Sequence, residues 1–137
     1  MRWRWCRSVW ADQRGSVSAE LVIAVPVLLL LLMLIAQFAL WAHASHIAQA
    51  AASQALSATR VRGGTATEGD ETAREVLAQL GQGPLRNAHA VVIRGPEQST
   101  AEVSGDAVSV LGFLVLPVRA RAVGPTEHFV APPAGAG

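Results

Sequence analysis

Few residues of this chain have a type and spacing that invite chemistry, and Glu20 is the first of them. It stands at the mouth of an apolar run that begins at Leu21, five residues after Gly15 and four after Ser16. A carboxylate in that place has two readings. It can mark the end of a membrane segment in the headgroup region, where ionisation costs little and the positive end of the helix favours a negative charge. Alternatively, a cut of the Gly15-Ser16 bond makes Ser16 the first residue of a helix and Glu20 the i+4 neighbour of the new α-amino group. Carboxylate and ammonium then pair within one subunit or between adjacent subunits. An unpartnered charge among packed apolar helices is costly, so such a pair acts as a register device even where it adds no net stability.

Other reactive side chains form no recognisable constellation. His43 and His46 are three apart on a helical stretch, but no third ligand from Cys, Asp or Glu lies close in sequence, and they read as interfacial or solvated side chains. Cys6 is the lone cysteine and precedes the apolar run, so folding does not depend on an intramolecular disulfide. The sequence holds no nucleophile elbow, no phosphate-binding glycine loop and no pair of acids in a catalytic setting. No enzyme, metal or cofactor is expected. The formal net charge is +1, which points to neither a nucleic-acid-binding surface nor an acidic tail.

The element that must position Glu20 is the run LVIAVPVLLLLLMLIAQFALWA from Leu21 to Ala42, 22 residues without a charge and with Gln37 as its one polar side chain. At helical rise it is about 33 Å long, enough to cross a hydrocarbon core of about 30 Å. A buried soluble helix of that length would carry a polar stripe, and none is present. Arg2, Arg4, Arg7 and Arg14 face a single Asp12 before the run, whereas residues 15–137 hold seven arginines against nine acids. The basic flank is therefore expected to stay in the cytoplasm and the C-terminal part to cross, with Trp10 and Trp41 at the two interfaces. Ala42-His43-Ala44 before Ser45 also fits a small-residue signal-peptidase pattern, so a secreted domain is an alternative. The apolar region of a signal peptide, about 7 to 15 residues, is much shorter than this run.

The window Gly15-SVSAE-LVIAV-Pro26-VLLLLL, followed by Phe38 and the alanine-rich stretch containing Ala50-Ala51-Ala52, resembles a class III signal of type IV pilin-like proteins. More specifically it resembles the TadE-like family of minor pseudopilins of the tight-adherence (Flp-type) pilus machinery. The resemblance covers roughly residues 14–60 and rests on Gly15, Glu20, and Pro26 six positions after the glutamate; Leu21 stands where members often carry an aromatic residue. It implies cleavage after Gly15 by a prepilin peptidase on the cytoplasmic side, with loss of a basic leader of residues 1–15. It further implies membrane lipid, a pilus assembly platform and other pilin-like subunits as partners. Pro26 removes the hydrogen bond to the Val22 carbonyl, a defect that a membrane helix tolerates and that predicts a local kink. The competing reading from another class is an uncleaved, membrane-tethered binding module.

Beyond Ala42 the alanine-rich sequence lacks Gly and Pro until Gly63, so one helix is expected from Ser16 to about Thr59. Ala44, Ala48 and Ala52 form a small-residue face that would let another helix approach closely. A second helix is expected from Thr67 to Gly81, capped by Thr67 or Asp70, with Ala73, Val76, Leu77 and Leu80 on its apolar face and Arg74 pairing with Asp70 or Glu71. From Ala88 the pattern turns to β: AHAVVI, a Gly95-Pro96 turn, STAEVS, a Gly105-Asp106 turn, AVSVLGFLVL as a buried strand, and VRARAV, whose Arg119 and Arg121 make one edge basic. The fold class is α+β: a long N-terminal transmembrane helix extending into a small outer domain with a second helix and a short antiparallel sheet. Its expected divisions are a leader over 1–15, a helix over 16–60 with its span at 21–42, an outer domain over 61–130 and a disordered tail over 131–137.

Overall fold

The computed structural model describes residues 13–128, with side chains from Glu20 onward. The expectations for the basic leader, Cys6, Trp10 and the C-terminal tail fall mostly or wholly outside that range. Five elements follow in order: α1 (Gln13–Arg60), α2 (Ala66–Leu80), β1 (Leu85–Arg94), β2 (Gln98–Ala107) and β3 (Leu116–Pro125). The α+β class with one long apolar helix, a second helix and a three-stranded antiparallel sheet is as expected. The chain divides into two compact units, residues 1–36 and 37–137.

Helix α1 includes Gly15 and Ser16, so the Gly15-Ser16 bond is helical, and it continues as α-helix through Pro26. Its C-terminus is closed by long-range donors. The Arg94 guanidinium donates to the Thr59 carbonyl and, at 3.2 Å, to that of Val61, and the Glu127 amide donates to the Arg60 carbonyl at 2.9 Å. A cation at the last turn satisfies orphan carbonyls and the negative end of the helix dipole together. Gly63, at φ 80°, then turns the chain.

The cap of α2 is Thr65, neither Thr67 nor Asp70. Thr65 and Glu68 form a capping box in which the Glu68 amide donates to Thr65 Oγ1 at 3.1 Å and the Thr65 amide donates to Glu68 Oε2 at 2.8 Å. The Thr-x-x-Glu spacing at 65–68 supplies both halves of that box, whereas an acid of the right length is missing three residues after Thr67. Gly69, Ala73 and Val76 are buried, Leu77 is partly so, and Leu80 points outward, because the helix rolls its face toward α1 and β1. Arg74 pairs with Asp70 at 2.5 Å on the solvated side.

Gly69 is where α2 meets α1 closely. A Cβ there would run into the buried hydroxyl of Thr59 and lie 2.9 Å from both the Ala55 carbonyl oxygen and a methyl of Val92. Gly69→Ala should therefore destabilise the outer unit by about 1–3 kcal/mol through overpacking, despite the roughly 1 kcal/mol that alanine gains in an open helix. Denaturant unfolding of the full chain in detergent would show it; a variant as stable as the parent would mean that the crossing is loose.

Strand order in the sheet is β1-β2-β3, all antiparallel. The β1-β2 hairpin turns at Gly95-Pro96 as expected, with the Gly95 amide donating to the Gln98 carbonyl at 3.0 Å. Two expectations for the remainder are corrected. Gly105 and Asp106 do not turn; they lie in β2, opposite Val118 and Pro117. Glycine is needed there because a Cβ would sit 2.8 Å from the Arg86 carbonyl oxygen, at the bulge between Arg86 and His89 where Asn87 takes φ 51°. Nor is Ala107 to Leu116 a buried strand: β2 ends at Ala107, β3 begins at Leu116, and residues 108–115 are the connection.

Inward positions alternate along β2 as Ser99, Ala101 and Val103, and along β3 as Val118 and Ala120. Val103, Val118 and Ala120 pack against Ala44, Ala48, Ala51 and Ala52 of α1, and Ala101 packs with Ala55 and Ala73 toward α2. The small-residue face of α1 is thus covered by the chain's own sheet and, through Val76, by α2. Arg119 and Arg121 point outward, and Arg119 Nε lies 3.3 Å from Glu102 Oε1 across the strand pair.

Candidate functional site

The candidate site is the apolar part of α1 together with the residues at its two ends. Leucine, valine and isoleucine side chains from Leu21 to Ile35 are exposed all round the helix, Val22 at 72% and Leu32 at 62% among them. A soluble core helix is buried over at least one stripe, and this segment is not. The helix that contains it is long and apolar enough, by length and composition, to cross a membrane. Exposed apolar surface on this scale marks a lipid or protein contact.

At the N-terminal end, Gly15, Ser16 and Glu20 are consecutive parts of one helix. Glu20 is exposed and makes no ion pair with a described side chain. Because Ser16 and Glu20 share helical geometry, a free amino group at Ser16 would lie one turn below the carboxylate. Pro26 sits six residues further along and is exposed, leaving the Val22 carbonyl without its helical donor.

The other end falls earlier than the hydropathy pattern suggests. Gln37, the lone polar residue of the run, is 1% exposed. Its Oε1 accepts from the Val110 amide at 2.8 Å and from Ser109 Oγ at 3.1 Å, and its Nε2 donates to the Val108 carbonyl at 3.3 Å. One turn on, Trp41 Nε1 donates to the Pro117 carbonyl at 3.2 Å, and its ring lies tilted against that of Phe38, their centroids 5.7 Å apart. Residues 37–42 therefore belong to the second unit, and the part of α1 that is apolar and uncovered on every side ends at Ala36. The amide of Gln37 was readable as a polar group needing a partner; nothing local in the sequence named the connection between β2 and β3 as that partner.

His43 and His46 are exposed on α1. Among the described residues no group of three His, Cys, Asp or Glu side chains gathers that could hold a metal.

The family model of TadE-like proteins matches residues 15–56. This segment is TadE-like. The matched stretch opens on the glycine of the proposed cleavage bond and closes on Leu56, within the last two turns of α1, so it takes in Glu20, Pro26, the apolar run and most of the alanine seam. Its presence associates the chain with the tight-adherence pilus and with the membrane. No curated protein and no solved structure matches the chain.

Proposed function

We propose that the chain is a pilin-like membrane protein, a minor subunit or assembly factor of a tight-adherence-type pilus, with no enzymatic activity of its own. The observation that carries this reading is the coincidence of the TadE-like match with an apolar helix that none of the described residues covers. In this reading a prepilin peptidase removes residues 1–15 on the cytoplasmic side, and the rest of α1 keeps the protein in the membrane as a single-pass anchor. The domain built on residues 37–128 faces the extracytoplasmic side. The apolar helix then hands the subunit to an assembly platform and packs against other pilin-like subunits, where the Ser16 ammonium and Glu20 set the register.

The position of Gln37 and Ala44 weighs against a secreted domain released after Ala44. Such a cut would remove Gln37 and Trp41, which hold residues 108–110 and Pro117, and would sever α1 at a fully buried alanine of the core.

Mass spectrometry of the mature N-terminus, on protein taken from its native membrane, tests the proposal. A start at Ser16 supports prepilin-type processing. A start at Ser45 refutes the anchored reading, and an intact or merely Met-trimmed terminus favours an uncleaved, membrane-tethered binding module. Glu20→Ala should leave membrane insertion and processing intact while incorporation into pili falls severalfold, because the ammonium of Ser16 is then left without its partner. Normal piliation in that variant would remove the register role.

A further inference from the structure

The connection between β2 and β3 is unlike an ordinary surface loop. From Ala107 to Val118 the chain carries no charge, although loops that face water are usually polar. Phe113 is 83% exposed, Val115 67% and Val110 48%, while Leu111 is buried and anchors the segment. The loop is also well bonded. The Val108 amide donates to the Pro84 carbonyl at 2.9 Å, the Leu114 amide to the Leu111 carbonyl at 2.8 Å, and Gln37 takes the hydrogen bonds of Ser109 and Val110. Its apolar side chains are thus held outward by a rigid frame.

What the loop is fastened to identifies its partner. Gln37 is the residue of α1 that follows directly on the uncovered apolar run. That run, residues 21–36, is about 24 Å long at helical rise, some 6 Å short of a hydrocarbon core of about 30 Å. Additional apolar surface is available at the next step of the helix: Phe38, 66% exposed, and the loop that Gln37 holds. Trp41, whose ring is apolar and whose N–H is already satisfied, completes the group. We propose that residues 110–115 are a second membrane contact, with Val110, Phe113 and Val115 entering the boundary between headgroups and acyl chains of the extracytoplasmic leaflet beside the anchor. This rests on the anchored reading above. The absence of charge fits lipid hydrocarbon, and the continuity with the apolar run sets the depth.

Depth-dependent fluorescence quenching on the full chain in phosphatidylcholine–phosphatidylglycerol vesicles tests this. In a Cys6→Ser background, an environment-sensitive probe is attached to Leu29→Cys, Phe113→Cys or, as a control on the exposed sheet face, Arg121→Cys. Phe113 and Arg121 are exposed, so neither substitution threatens the fold. The expected result is quenching at position 29 by deep spin-labelled lipid, a blue shift and quenching at position 113 by shallow spin-labelled lipid, and neither at position 121. Deep quenching at 29 without lipid quenching at 113 overturns the loop contact and leaves the anchor standing. No lipid quenching at 29 overturns the anchor and the proposal with it. A blue shift at 113 that grows with protein density without lipid quenching means that a second copy covers the loop, which also overturns the lipid assignment.

Discussion

Replacing Gln37 with leucine is expected to loosen residues 108–115 and destabilise the outer unit, although it makes the apolar run more hydrophobic. Leucine matches glutamine in size and would fill the same space. The Val110 amide and the Val108 carbonyl would nonetheless lose their partner, while the Ser109 hydroxyl keeps the Leu111 carbonyl. A buried donor or acceptor left unmade costs about 1–3 kcal/mol, so the loop would open to regain water. Each 1.4 kcal/mol is a factor of about ten in the opening equilibrium. Hydrogen exchange of the Val110 amide should therefore accelerate by about one to two orders of magnitude, while residues paired inside β2 change less. A hydropathy argument alone predicts the opposite sign, since it counts Gln37 as the weak point of a span. Unchanged exchange at Val110 would show that the amide clamp contributes nothing.

Ala48→Leu should be among the most damaging single changes outside the apolar run. Leucine is nearly as good a helix former as alanine, so an isolated α1 would barely notice. In the folded unit Ala48 is fully buried in the cluster that joins α1 to Val103, Val118 and Ala120. The sheet rests on α1 through side chains of this size, and three added carbons must either adopt poor rotamers or lift the sheet. Overpacking costs about 1–3 kcal/mol and occasionally more, a large share of what a small unit has to lose. The denaturation midpoint in detergent should fall clearly, whereas Gln49→Leu, on the exposed side of the same turn, should leave it nearly unchanged. Equal stability of the two variants would mean that the seam accommodates larger side chains.

Local features are legible in the sequence. The apolar run, the unbroken alanine-rich continuation to the Gly63-Gly64 break, the second helix and the turn at Gly95-Pro96 all depend on composition or on spacing within a few residues. The same is true of Gly15, Glu20 and Pro26, whose arrangement resembles the TadE-like pattern that the family match bears out over residues 15–56. Boundaries were less secure where two local signals competed. Thr65 won the cap from Thr67 because a side chain three residues on could return its hydrogen bond. Gly105-Asp106, which reads as a turn, became part of a strand because β1 approaches Gly105 too closely for a Cβ.

Tertiary structure alone decided what the ambiguous residues face. An apolar decapeptide such as Ala107–Leu116 has the same hydropathy whether it is a core strand or an exposed loop. The choice falls to strand register and to Gln37, 71 residues away from Val108. Ala44, Ala48 and Ala52 likewise advertise a close approach without naming the partner, and the fold supplies the sheet and Val76 of α2. By itself the sequence determined that one long apolar helix would precede a small mixed domain, because helix propensity and hydrophobicity are properties of neighbouring residues. Where that helix stops being uncovered, what its alanines touch and which loop it holds depend on hydrogen bonds and packing between distant segments, and those exist only once the chain has folded.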